Sequence, residues 1–158
     1  MTHLRPLIVA ALAIAPASSA FADDLAPNAA PAEILAVAED TAPGVDFRSV
    51  SVEIENGRKV YEFRGVGFND RWVEVDIVEN GRLEEIEMEG TADDLPAAVR
   101  RSVASAAPEQ EIFRVETSVR GDGVFIYEVE MRAADGSLAA FELNEAGRIL
   151  KAEDGALS

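Results

Sequence analysis

The chain has 158 residues, a formal net charge of −16, no cysteine and one histidine. Nucleic acids and anionic membranes are polyanions, so this charge argues against both as partners. The single histidine, His3, lies in the N-terminal segment. The remaining chain therefore has neither imidazole nor thiol, which excludes Ser-His-Asp and Cys-His catalysis and typical zinc or haem ligation.

Residues 1–22 are typical of a secretory signal peptide. His3 and Arg5 precede an apolar run at residues 7–15, and small residues lead to Ala20-Phe21-Ala22. The run is shorter than the roughly 20 residues that span a bilayer, although an uncleaved anchor is an alternative. We expect cleavage after Ala22, with Ala20 as the alternative, and a periplasmic or secreted protein with no membrane span. Loss of Arg5 changes the net charge from −16 to −17.

The residue pattern in the first half of the exported chain predicts one helix followed by strands. Residues 23–30 are predicted to form a flexible leader. The pattern at 31–42 predicts a helix that starts at Pro31 and buries Ile34, Val37 and Ala38. Period-two alternation then predicts strands near 50–55, 60–68, 71–78 and 83–88. Asn-Gly pairs at 56–57 and 80–81 predict hairpin turns between them.

The second half repeats this pattern at an offset of about 65 residues, with Pro31 matching Pro96. A helix is predicted at 96–107, with Val99 and Val103 facing inward, and alternating strands follow it. The sequence therefore predicts an α+β fold with two tandem units, 31–90 and 91–154. Each unit is one helix followed by a three- to four-stranded antiparallel meander, with the helix packed on one sheet face. A unit of about 60 residues is marginal alone, so we expect the units to pack together or share a sheet.

Trp72 is the first candidate binding residue. Alternation places it on the polar side of its strand, where an exposed tryptophan is typical of an interface hot spot. The alternative is that Trp72 covers the junction between the two units. Phe68 and Arg71 lie beside it in the sequence, and Phe68 is open to both interpretations.

Outward carboxylates form the second candidate. The predicted binding set consists of Glu53, Glu55, Glu62, Glu74 and Asp76, and Glu85, Glu87 and Glu89 continue the pattern. Such a face can recruit a basic protein segment or weakly hold a hard divalent cation, or it is simply solvated. No single pair stands out for acid–base hydrolysis. We therefore predict no enzyme activity, no catalytic residues, no metal ligands and no cofactor.

The segments from Leu95 to Val99, from Tyr127 to Met131 and from Asn144 to Leu150 resemble a PepSY-like domain. The first half resembles it more loosely. The resemblance implies an exported helix-plus-sheet module akin to the beta-lactamase inhibitor protein (BLIP) fold. It also implies a role in binding and peptidase inhibition, or in sensing in the bacterial envelope.

These observations predict an exported, non-enzymatic PepSY-like binding module. It would bind or modulate an envelope protein such as a peptidase. The alternative is a cation-responsive or sensory accessory protein that uses the acidic sheet face.

Overall fold

The computed structural model describes residues 25–155. The strands in this range form a single eight-stranded antiparallel sheet. The strands follow one another in chain order, so each strand pairs with the next. They are β1 (Asp46–Glu55), β2 (Arg58–Val66), β3 (Trp72–Val78), β4 (Leu83–Gly90), β5 (Glu111–Arg120), β6 (Phe125–Arg132), β7 (Leu138–Asn144) and β8 (Ile149–Gly155).

Two α-helices accompany the sheet in the described chain, α1 (Ala32–Thr41) and α2 (Ala97–Ala106). Both lie within the helices expected from the sequence. Pro31 and Pro96 are their N-cap residues, where a proline costs no helical hydrogen bond. Neither helix is long and apolar enough to cross a membrane. The predicted signal peptide, residues 1–22, lies outside the described residues.

The predicted fold class is wrong. The chain does not form two tandem helix-plus-meander units, because β4 pairs with β5 and makes the sheet continuous. This pairing runs from Glu85 opposite Arg120 to Gly90 opposite Val115. The described part of the chain is therefore mostly β, with one sheet and two α-helices. The physical reason is that β4 and β5 would otherwise be edge strands with unpaired backbone groups, and their pairing satisfies both edges.

Both helices cover the same face of the sheet. Residues that pair directly across antiparallel strands point to the same side, and side chains alternate along each strand. On α1, Ile34 and Ala38 are buried in a cluster with Phe63 and other strand residues. On α2, Val99 and Val103 are buried in a second cluster that includes Val129, Phe141 and Leu143. The opposite face, which we call the open face, has no helix over it in the described chain.

The turn between β7 and β8 lies close against α2. Gly147 has a φ of +76°, and a Cβ atom there would come within 2.5 Å of the Ala98 carbonyl oxygen. A residue with a side chain would therefore be strained by its backbone conformation and would also clash with the helix. This contact fixes how closely the turn approaches α2.

Candidate functional site

The open face is strongly acidic because alternate residues on its strands are carboxylates. Along β3, for example, Glu74 and Asp76 point to the open face, whereas Val73, Val75 and Ile77 are buried beneath the helices. The carboxylates at open-face positions on the strands include Glu53, Glu55, Glu62, Glu74, Asp76, Glu85, Glu87, Glu89, Glu116, Glu128, Glu130, Glu142 and Glu153.

The register of the strands arranges nine of these carboxylates in three rows across the sheet. The first row is Glu62, Asp76 and Glu85 on β2, β3 and β4. The second row is Glu74 and Glu87 on β3 and β4. The third row is Glu89, Glu116, Glu128 and Glu142, which runs from β4 to β7. Like charges directly opposite one another destabilise a sheet, so the free protein bears a cost along each row.

Basic side chains on the open face relieve part of this repulsion. Arg64 bonds to Glu74 and donates a 3.1 Å hydrogen bond to Glu62. Arg114 lies 2.6 Å from Glu116 and 3.3 Å from Glu130. The remaining open-face contacts are longer or lie at its margins, as with Arg120 at 3.8 Å from Glu85 and Lys151 at 3.6 Å from Glu142.

Burial and mutual repulsion raise the pKa values of the central carboxylates. Burial is the largest cause for Glu87, and the neighbouring carboxylates Glu116 and Glu74 add to it, so its pKa rises to about 8. Burial also raises the pKa of Glu74 to about 7 in spite of Arg64. Burial and then Glu116 raise the pKa of Glu128 to about 7. Several central carboxyl groups therefore hold protons near neutral pH.

Asp76 lies at the centre of the first row. Burial raises the pKa of Asp76 well above its usual range, and Glu74, Glu62, Glu87 and Glu85 raise it further. Its Oδ1 atom is shielded from solvent and accepts no hydrogen bond from the described residues. A buried acceptor without a donor costs about 1–3 kcal/mol. Asp76 as a whole is partly exposed on the open face, so a rotation of its carboxyl group would let a donor from outside the chain reach it.

A further carboxylate group lies at the β1 edge of the sheet and shares Glu62 with the first row. Among the described residues, Glu53, Glu55 and Glu62 form the group whose oxygen atoms lie within 4.8 Å of one another, the spacing that a metal ion would require. Ser51 also donates a 2.9 Å hydrogen bond to Glu62. Burial, followed by carboxylate neighbours, raises the pKa values of Glu55 and Glu62.

The predicted aromatic site lies at one end of the open face. Trp72 pairs with Val66, is partly exposed, and donates a 3.4 Å backbone hydrogen bond to Glu89 of the third row. Phe68 lies in the turn before β3 and is 88% exposed. Arg71 forms a 3.0 Å ion pair with Asp94, next to α2.

The structure thus brings together the predicted carboxylates Glu62, Glu74 and Asp76, and it places Glu53 and Glu55 at the sheet edge. Sequence reasoning did not select the carboxylates of β5 to β7, namely Glu116, Glu128 and Glu142. Their alternation with buried residues was visible in the sequence. The sequence patterns also did not identify Phe113, which is 48% exposed. The guanidinium carbon of Arg132 lies 3.3 Å from the centre of the Phe113 ring.

Several solved structures share this fold. A DUF2874 family protein from Bacteroides uniformis has a TM-score of 0.64 and 20% identity, covering 79% of this chain and 89% of that chain. A candidate periplasmic protein from Bacteroides eggerthii has a TM-score of 0.64 and 15% identity, covering 79% and 88%. A BLIP-like protein from Bacteroides fragilis has a TM-score of 0.58 and 16% identity, covering 81% and 90%.

No family model and no curated protein matches the sequence. The expected PepSY-like identity is therefore not confirmed. The structural likeness extends over most of each chain and supports the expected similarity to the BLIP fold. The chain has a BLIP-like fold.

Proposed function

We propose that this chain is an exported, non-enzymatic binding module that presents its open face to a basic region of a protein in the bacterial envelope. The observation that carries this proposal is the set of three carboxylate rows on a sheet face that no described helix covers. A face with this charge attracts and orients a partner of opposite charge.

The aromatic end of the same face supports protein binding. Tryptophan is enriched at interface hot spots, and Trp72 adjoins Glu89 at the start of the third row. Phe68 adds a large apolar side chain that is almost wholly exposed. We therefore place the partner's apolar contact at Trp72 and Phe68 and its basic residues over the rows. A peptidase is the partner that the resemblance favours, and the module would modulate its activity.

Affinity capture from envelope extract tests this proposal. The bait is the exported chain, compared with Trp72→Ala and with Glu128→Lys in the third row. The control is Glu39→Lys, which makes the same charge change on an exposed residue of α1. We expect one protein to bind the unmodified bait and the control and to be lost from both open-face variants. Identical capture by all four baits would refute the proposal. A captured peptidase would then be assayed with and without the module.

A second candidate function rests on Glu53, Glu55 and Glu62. Carboxylate oxygens are suitable ligands for a hard cation such as Ca²⁺, and a bound cation would stabilise the folded protein. In this case the protein would be a cation-responsive accessory protein. Calcium should then raise the melting temperature, and Glu53→Gln should abolish the rise. A melting temperature that does not depend on calcium would remove this candidate.

A further inference from the structure

The centre of the open face contains a position that lacks a hydrogen-bond donor. Asp76 lies between Glu62 and Glu85 on the neighbouring strands, and Glu74 precedes it on the same face of β3. Its shielded Oδ1 atom accepts no hydrogen bond from the described residues. The local charge is negative, and the free acceptor needs a donor, so a ligand that provides both a positive charge and N–H groups would satisfy the position.

The nearby basic groups of the chain already contact other carboxylates. Arg64 bonds to Glu62 and Glu74, on either side of Asp76. On β5, the Nε atom of Arg120 lies 3.8 Å from the Oε1 atom of Glu85. On β4, Glu85 and Glu87 are the titratable groups that face Asp76, and the helices lie on the other face of the sheet. Carboxylates therefore surround Asp76 in excess of the basic groups.

We infer that a lysine or arginine side chain of the partner protein docks at Asp76, at the centre of the first row. This inference rests on the proposed function and identifies the class of side chain that the face recognises.

A basic side chain fits this position better than a metal ion. A calcium ion needs six to eight oxygen ligands that converge at about 2.3–2.6 Å. Among the described residues, the group with closely converging carboxylate oxygens is Glu53, Glu55 and Glu62, and it does not include Asp76. The rows instead extend from strand to strand at a spacing of about 4.8 Å. Carboxylates spread in this way suit several basic side chains along one polypeptide segment.

Proton release follows from the protonation of the free face. With pKa values of about 8 for Glu87 and about 7 for Glu74, these groups carry protons for much of the time near neutral pH. A cation within a few ångströms favours the ionised form of a carboxyl group and lowers its pKa. Docking of a basic side chain therefore displaces protons, and its affinity should rise as the pH increases toward 8.

The test uses isothermal titration calorimetry with a blocked peptide of alternating lysine and alanine as the probe. The titration is run near neutral pH in phosphate and in Tris, since these buffers differ in ionisation enthalpy. The variants are Asp76→Asn and, as a matched control, Glu39→Gln on α1, which removes one negative charge from the covered side of the sheet. A peptide of alternating glutamate and alanine checks the sign of the charge.

We expect the lysine peptide to bind with a buffer-dependent heat that indicates proton release. Asp76→Asn should weaken binding about tenfold or more, whereas Glu39→Gln should leave it within about twofold. Asp76→Asn removes a buried charge, so its melting temperature should be unchanged or higher. This separates loss of the binding position from misfolding.

Equal affinities of Asp76→Asn and Glu39→Gln for the peptide would overturn the inference. A heat that does not depend on the buffer would overturn the proton release that follows from it. If calcium chloride alone stabilises the protein and Asp76→Asn abolishes that effect, the ligand is a divalent cation and the inference is also wrong. The proposed function fails by a different result, namely partner capture that is insensitive to Trp72→Ala and Glu128→Lys.

Discussion

Replacing Glu87 with glutamine should stabilise the protein, and the gain should grow as the pH rises from about 4.5 to about 8. Glu87 occupies the second row, where burial and then Glu116 and Glu74 raise its pKa from 4.5 to about 8. In the unfolded chain the group ionises near 4.5, so between these values the folded state binds more protons than the unfolded state. Stability from this group is therefore complete below about pH 4.5, is lost progressively as the pH rises from there to about 8, and does not fall further above that pH.

The pKa difference limits the size of the effect. At 1.36 kcal/mol for each pKa unit, a rise from 4.5 to about 8 corresponds to at most about 5 kcal/mol. Glu87 is only partly buried, and its neighbours adjust their own protonation, so we expect a gain of about 1–3 kcal/mol for Glu87→Gln. In a domain of this size the melting temperature should rise by about 4–10 °C.

The assay is thermal unfolding followed by circular dichroism at pH 4 and pH 9. The expected result is a melting temperature within about 1 °C of the unmodified protein at pH 4 and a clear increase at pH 9. Glu39→Gln, on the exposed side of α1, is the control and should show no such increase. A variant that is equally stable, or less stable, at pH 9 would refute our account of the open face.

Three further predictions concern the same face and its support. The melting temperature of the unmodified protein should fall as the pH rises from about 4.5 to about 8 and then level off, because Glu74, Glu87 and Glu128 ionise near 4.5 in the unfolded chain but at about 7, 8 and 7 in the folded protein; a flat profile would contradict the raised values. Arg64→Leu should cost about 1–3 kcal/mol at pH 9 and less at pH 5 in urea unfolding, since burial raises the pKa values of both carboxylate partners and that of Glu74 to about 7. Gly147→Ala should cost about 2 kcal/mol in the same assay at every pH; a neutral effect would mean that the turn can move away from Ala98.

Local patterns predicted the direction of individual side chains. Alternation of Tyr61, Glu62 and Phe63 indicated that Glu62 points away from its neighbours, and in the structure the two aromatic residues pack in the core beneath α1. Helical spacing likewise identified Val99 and Val103 as the buried residues of α2. These patterns are local consequences of strand and helix geometry, so a single sequence contains them.

The pairing of β4 with β5 could not be predicted in this way. Nothing in the alternation of residues 83–90 indicates which strand will lie next to them, because α2 and its connections separate β4 from β5 along the chain. The environment of Glu87 depends on that pairing, since Glu116 on β5 is the charged neighbour that raises its pKa most. The sequence therefore showed many of the carboxylates without showing that they form rows across one sheet.

The cost of these rows favours a role in binding. A sheet with one covered face requires only polar residues on the other, and alternating basic and acidic residues would meet that need with less repulsion. The chain does use such pairing elsewhere on the face, where Arg114 lies between Glu116 and Glu130. At Asp76 and Glu87 it instead places carboxylates beside carboxylates. Natural proteins commonly keep destabilising arrangements at functional sites, so the position and the cost of the rows support the proposed binding of a basic partner.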